Sequence, residues 1–325
     1  MKVLLVGAGA VGQVYGHFLH EGGAEVAFLI KPAYAAAARA GFVLYPRERG
    51  RPMTPVRFAD FQVHTELDGI AAERWDAVVL CVSSTALHRG TWLAELAAVI
   101  GDATVVTLQP GLDDYELVRQ HVPAERIVSG LIALASYSAP LPGEEVPEPG
   151  TAFWVPPLAR FPFSGPRAPA IVAAFRAGGL PARVHADVQT AAAFSVPLLQ
   201  AQICALECAG WSFAAVRADK RLRRAAFAVM REATAVAAAE RGVKAPLSQR
   251  LLRPSHISFI LRLAAHLAPM DLERFFQLHY TKVRDQSRDL LDTWIDRAER
   301  RGLDNAALSE MRARLDQAPV AEMTA

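Results

Sequence analysis

Lysine and cysteine are both scarce. The 325 residues include five lysines and three cysteines, and no lysine lies between Lys31 and Lys220. Cys81, Cys204 and Cys208 are too few, and odd in number, for a disulfide framework. Cys204 and Cys208 stand four apart and would share a helix face. They read as small buried residues, with a metal or redox pair as the alternative. No metal site is expected, and a reducing cytoplasm fits. Strong charge of one sign is also missing: the net charge is +2. That gives no ground for a nucleic-acid or membrane-surface partner. A secretory leader is not expected, because only four apolar residues separate Lys2 from Gly7, too few for an apolar leader core. The longest apolar run, 191–216, contains Gln200, Gln202 and Glu207. Each would need a partner in lipid, so the run reads as a central helix buried in protein rather than a membrane span.

What is present is an ordinary globular balance, 52% hydrophobic and 21% charged, in a chain long enough for two cores. The first half alternates short apolar runs with helical patterns. "KVLLV" (2–6), "EVAFLI" (25–30), "DAVVLCV" (76–82), "ATVVTL" (103–108) and a region in 125–134 read as strands covered on both faces. "AVGQVYGHFLHEG", "PAYAAAARAG" and "WLAELAAVIG" read as helices between them. That alternation predicts a doubly wound parallel sheet. The stretch 45–58 reads as a hairpin or excursion, and the proline-rich 139–169 as loops and edge hairpins near a domain border. Beyond Asp187 almost everything has helical period. The expected organisation is α/β, with a nucleotide-binding domain over 1–185 followed by an all-α domain over 186–325.

Gly7, Gly9 and Gly12 match G-x-G-x-x-G between the first strand and the first helix. Gly7 permits a tight turn, Gly9 lets a pyrophosphate approach the backbone, and Gly12 lets helix and strand pack closely. Free N–H groups of the first helical turn, around Ala10 and Val11, would then face the phosphates. The alternative is a tight turn that binds nothing. A nicotinamide site for NAD places an acid at the end of the second strand. Here that end reads "FLIK", and Glu25 lies at the strand's other end. Lys31 can pair with a 2′-phosphate, which favours NADP(H), the alternative being a solvated surface lysine.

With these residues in view, "MKVLLVGAGAVGQVYGHFLHEGGAEVAFLIK" resembles the opening of the ketopantoate reductase (2-dehydropantoate 2-reductase) family. The resemblance implies a Rossmann domain followed by a helical one, and reduction of a 2-keto acid by NADPH with the substrate between the domains. It also implies cofactor contacts at the ends of the next two strands, here Val82, Ser83, Gln109 and Pro110. The family's motifs are altered at those places. Its "VKA"-like lysine corresponds to Ser83 in "CVSST", and its "QNG" reads "QPG". The lysine expected early in the helical domain is absent too, where "FSVPLLQAQIC" offers Gln200 and Cys204 in place of asparagines. Hydride transfer builds negative charge on a carbonyl oxygen, so a donor is needed from elsewhere.

The segment 272–302 reads as one long amphipathic helix, with Leu272, Phe276, Val283, Leu290 and Trp294 as its apolar stripe. His279 and Gln286 fall on that stripe and Lys282 flanks them. His279 or Lys282 would donate the proton and Gln286 would orient the substrate. The alternatives are a core histidine and a lysine reaching water. Tyr280 and Arg284 fit a solvated or interface face. In "RPSHISF", Ser255 lies near where the family has a substrate-binding serine, and Arg253 could receive a carboxylate. The expected function is an NADP(H)-dependent reductase of a small keto compound. The alternative is a catalytically degenerate NADP(H)-binding protein. A homodimer through the helical domain is a further expectation from fold analogy.

Overall fold

The computed structural model describes residues 1–318. It divides into two compact units, Met1–Gln189 and Thr190–Ala325. Residues 319–325 of the expected helical domain lie outside the described residues.

The first unit holds twelve strands: β1 Lys2–Val6, β2 Glu25–Leu29, β3 Phe42–Pro46, β4 Val56–Phe58, β5 Gln62–His64, β6 Ala77–Leu80, β7 Thr104–Thr107, β8 Ile127–Gly130, β9 Ala135–Ala139, β10 Gly150–Trp154, β11 Phe161–Ser164 and β12 Ala182–Val184. Eight form one sheet in the order β12-β11-β8-β7-β6-β1-β2-β5. All its pairings are parallel except β11 with β8. The continuous apolar runs exist because both faces are covered. In β1, Val3 and Leu5 enter the core on one side and Leu4 and Val6 the core on the other. Residues of β6 alternate in the same way, Ala77 and Val79 against Val78 and Leu80. The chain runs outward from β1 in both directions, to β2 on one side and β6 on the other, so the strand order reverses there. In open sheets of this kind ligands bind outside the carboxyl ends of the strands at that reversal.

The stretches read as an excursion and as edge loops combine into a second sheet, β4-β3-β10-β9. The hairpin β3–β4 and the hairpin β9–β10 are each local, but β10 joins β3 in parallel, pairing Thr151 with Leu44. That join is non-local, and no nearby turn residue announces it. Phe28, Phe42, Phe58 and Phe61 pack between the sheets, with Phe42 and Phe61 stacked at 4.8 Å.

In the second unit every described element is a helix. The run read as one buried helix over 191–216 is instead a helix over Val188–Cys208 and a short one over Phe213–Ala218. Gly210 and Trp211, both near φ +60°, turn the chain between them, and Ser212 caps the second helix. Val188–Cys208 is long and apolar enough to cross a membrane by length and composition alone, with 56% of its most apolar window buried. Glu207 is buried in it, and both Arg284 and Arg288 reach its Oε1 at 2.9 Å.

The expected helix over 272–302 is also two, Leu272–Lys282 and Arg284–Arg300, broken at Val283 (φ −116°, ψ 28°). Neither glycine nor proline marks the break. The second helix carries the pairing of Arg284 and Arg288 with Glu207, so of the two faces expected for Arg284, solvated or interface, it does not occupy the solvated one. Tyr280 is half-buried and stacks on Trp211 and Phe276, so it does not lie on a solvated face either.

Candidate functional site

The glycine turn lies at the carboxyl end of β1, where the strand order reverses. Gly7 adopts φ +97°, a left-handed conformation that side chains resist. Its N–H donates to the Leu29 carbonyl at 2.9 Å, which anchors the turn to the end of β2. A Cβ on Gly12 would stand 2.2 Å from the Gly7 carbonyl oxygen, so only glycine fits there. A Cβ on Gly9 would meet nothing within 4 Å. The helix Ala10–Glu21 begins with no side-chain cap and no acid in its first turn. The N–H groups of Ala10, Val11 and Gly12 precede the first helical hydrogen bond, Gln13 N–H to Gly9 carbonyl at 3.0 Å. This end of the helix offers partial positive charge and open space, which fits a dinucleotide pyrophosphate.

Gln13 braces the turn. Its Nε2 donates to the Ala8 carbonyl at 2.9 Å, and Thr151 Oγ1 of β10 donates to its Oε1 at 2.7 Å. The second sheet therefore holds the glycine turn in place, a role no local pattern announced. Lys31 follows β2 as the N-cap of the helix Pro32–Arg39 and is exposed. A 2′-phosphate there would meet a mobile ammonium.

Next to β1, the end of β6 touches the turn. A Cβ on Gly7 would lie 3.1 Å from the Cys81 carbonyl oxygen and 3.3 Å from Val82 Cγ1. Burial pushes the Cys81 thiol up to about 12. Ser83 caps the short helix Ser84–Leu87, accepting the Ala86 N–H at 3.2 Å. Gln109, at the end of β7, donates from Nε2 to the Leu80 and Val82 carbonyls at 2.7 and 2.9 Å, and the Leu108 N–H donates to its Oε1. Both amide hydrogens are thereby committed. Gln109 clamps two strand ends and shapes the site rather than presenting a free donor, while Pro110 beside it is exposed.

The same edge holds a cluster that the sequence reading missed. The Asp114 carboxylate, 3% exposed, accepts from Ser84 Oγ at 2.6 Å, from the Gly111 N–H at 2.6 Å and from His88 Nε2 at 2.8 Å. Its only sequence signal is a serine, a histidine and an aspartate following two neighbouring strands, which gains meaning once β6 and β7 are known to be adjacent. A cavity of about 350 Å³ lined in part by Trp75, Asp76, Asp102 and Arg167 lies at the amino ends of β6 and β7. That is the opposite edge of the sheet from the glycine turn.

The remaining expected site residues lie in the helical unit. Gln200 is buried and donates to the Ser287 carbonyl at 2.9 Å, while its Oε1 has no hydrogen-bond partner among the described residues. Ser255 and Arg253 are exposed at the start of the helix Pro254–Leu267, and the Arg253 N–H donates to His256 Nδ1. His279 and Lys282 share the last turn of their helix and both are exposed, with Gln286 across the Val283 break. The His279 ring stacks on Phe275 at 5.5 Å and meets Tyr280 edge-on. That packing strips water from one side of the ring and, with the Lys282 charge second, holds its pKa below the ordinary 6.5. Cys204 is buried, and Cys208 Sγ lies 4.0 Å from Met311 Sδ.

These features match known proteins. Residues 3–144 match the family model of ketopantoate reductase PanE/ApbA. Those residues make up under half of the chain, and over them the chain is similar to that family. A curated 2-dehydropantoate 2-reductase from Nostoc sp. (strain PCC 7120 / SAG 25.82 / UTEX 2576) is 29% identical over 140 residues, 42% of this chain. The match spans 40% of that relative's length. Solved structures extend the likeness in fold. A PanE/ApbA family ketopantoate reductase from Ralstonia eutropha JMP134 has a TM-score of 0.70 at 20% identity, covering 98% of both chains. A 2-dehydropantoate 2-reductase from Geobacter metallireducens GS-15 has 0.69 at 19%, covering 98% of this chain and 100% of its own. D-mandelate dehydrogenase, in a ternary structure with NADH and anilino(oxo)acetate, has 0.70 at 14%, covering 98% of both. The PanE/ApbA match takes in the glycine turn, Lys31, Gln109 and Asp114, and ends before the helical unit.

Proposed function

We propose that the chain is an NADP(H)-linked oxidoreductase that interconverts a small keto compound and its hydroxy form. The observation that carries this reading is the glycine turn at the strand-order reversal, with Lys31 where a ribose-binding acid would otherwise stand. Gly7, Gly9, Ala10, Val11 and Gly12 would hold the pyrophosphate, Lys31 the 2′-phosphate, and Val82 and Ser83 the wall beyond it. The bound cofactor supplies a hydride. The protein must then stabilise the charge that develops on the carbonyl oxygen, a task worth roughly 10²–10³ in rate for a single well-placed donor. His279 and Lys282 are the donors that the sequence nominates in the helical unit. Ser255, Gln200 and Gln286 are its nominees for substrate contact. A soluble, cytoplasmic enzyme, dimeric through its helical unit, completes the proposal.

D-mandelate dehydrogenase shares the fold and is described with NADH, so the choice of cofactor in this chain rests on Lys31 itself. The test is fluorescence titration with NADPH and NADH, followed by assay on 2-dehydropantoate and a panel of 2-keto acids. NADPH is expected to bind more tightly than NADH. Lys31→Ala is expected to cost about tenfold in NADPH affinity, about 1.4 kcal/mol, and little with NADH. Absence of NADPH binding would remove the proposal.

A second reading has one observation behind it. The place of the expected lysine after β6 is filled by Ser83, which caps its own helix. A binding protein that holds NADP(H) without turnover would show tight NADPH binding and no consumption with any keto acid of the panel.

A further inference from the structure

We propose that His88, aimed by the buried Asp114, rather than the sequence-nominated His279 or Lys282, is the proton donor and acceptor for the carbonyl oxygen, so that the nucleotide-binding unit carries its own acid–base group. This rests on the reading of the chain as a nicotinamide-dependent oxidoreductase. Asp114 accepts two neutral donors on Oδ2, the Ser84 hydroxyl and the Gly111 N–H. Its Oδ1 receives His88 Nε2. A carboxylate so held can only accept, which requires a proton on His88 Nε2 and leaves Nδ1 as the working nitrogen. The His88 side chain is 45% exposed while Asp114 is 3% exposed. One end of the pair is therefore rigid and dry, and the other is open.

Ser84 begins four residues after β6, and Gly111 and Asp114 follow β7. Both loops lie at the carboxyl edge of the sheet. The β6 loop is the one whose Cys81 and Val82 touch the glycine turn. In a doubly wound sheet the two halves of a dinucleotide lie on either side of the strand-order reversal. Lys31 and β2 occupy one side, so the β6–β7 side receives the nicotinamide half. Gln109 fixes the ends of β6 and β7 to each other, so the histidine stands on a rigid platform.

The step balances. In reduction, hydride passes from a dihydronicotinamide to the carbonyl carbon and the carbonyl π pair moves onto oxygen. The Nδ1–H bond of the His88 imidazolium breaks as the new O–H bond forms. A hydroxy compound, an oxidised nicotinamide and a neutral imidazole remain, with Nε2–H still on Asp114. Oxidation runs the same steps in reverse.

The experiment uses full-length protein with ¹⁵N-labelled histidine, titrated with NADP⁺, alongside the variants His88→Gln and Asp114→Asn. In the free protein His88 is expected to show a protonated Nε2 and a bare Nδ1, a pattern that Asp114→Asn should disturb. Saturating NADP⁺ should shift the His88 signals and leave those of exposed His121 in place. Gln at position 88 can still donate to Asp114, so His88→Gln should fold and bind NADP⁺ within about twofold of the parent. With any keto acid that the parent turns over, it should lose 10²-fold or more in kcat, on the order expected for acid–base catalysis. Binding of NADP⁺ with His88 unmoved would overturn the proposal and leave the cofactor reading intact, as would a His88→Gln variant within threefold of parental kcat. No NADP⁺ binding at all would remove both.

Discussion

Asp114 in the first unit and Glu207 in the second are both buried carboxylates, and each ties together segments distant in sequence. Their partners differ. Glu207 takes both Arg284 and Arg288 on one oxygen, and Arg288 Nη2 also donates to the Leu315 carbonyl at 2.6 Å. Two guanidinium groups surround one acid. Asp114 instead takes a hydroxyl, a backbone N–H and an imidazole that is open to water on its far side. The first arrangement fixes helices. The second also fixes a loop, but through an imidazole whose side chain is 45% exposed. The two acids thus differ in the exposure of their partners: the Arg288 side chain is 12% exposed and the His88 side chain 45%.

Breaking the Glu207 end of this comparison should have the largest effect. Glu207→Ala leaves two arginines partly buried with their shared acid gone. A loss of about 3 kcal/mol is expected, the lower end of the range for removing one partner of a buried pair. Urea unfolding followed by helical circular dichroism would measure it, and an unchanged midpoint would mean that water replaces the acid at no cost. The second effect, in the other unit, is steric. Gly12→Ala places a methyl group against the Gly7 carbonyl, and about 2 kcal/mol of destabilisation is expected from overpacking. NADPH affinity should fall with it, and the two losses can be read from a thermal melt and a fluorescence titration of one sample.

The smallest effect concerns His279, whose pKa is held below 6.5 by desolvation first and by Lys282 second. The unfolded chain therefore takes up this proton before the native state does. Stability should fall as pH drops below about 6.5, until the native imidazole is protonated too, and the loss then stays constant. In unfolding curves measured from pH 8 to pH 5, His279→Gln should flatten that part of the profile. An unchanged slope would show that His279 sits in an ordinary aqueous environment.

The glycine turn, β1 and the strand alternation were legible because they are local. Gly7, Gly9 and Gly12 lie within six residues, and a strand covered on both faces announces itself as an apolar run. The second sheet was only half legible. Each hairpin has its own turn signals, but the β3–β10 join depends on packing against the helix Ala10–Glu21 and on Thr151 reaching Gln13. In the helical unit the apolar period of 272–302 was visible, but the break at Val283 was not. Neither glycine nor proline stands there, and the helix that follows the break carries Arg284 and Arg288, which meet Glu207 many residues earlier. Gln109 shows a subtler shift: it lies at the expected strand end, yet its amide hydrogens serve two neighbouring carbonyls.

By itself the sequence determined that Gly7, Gly9 and Gly12 stand in G-x-G-x-x-G spacing after an apolar run, that Lys31 ends the second such run where Glu25 begins it, and that lysine is missing from the whole stretch between Lys31 and Lys220. These are matters of residue identity and short spacing, and folding cannot alter them. Tertiary structure alone decided that Ser84, His88, Gly111 and Asp114 meet. β6 and β7 had first to become neighbours, because hydrogen bonds between side chains on separate loops exist only once parallel strands fix the distance between those loops.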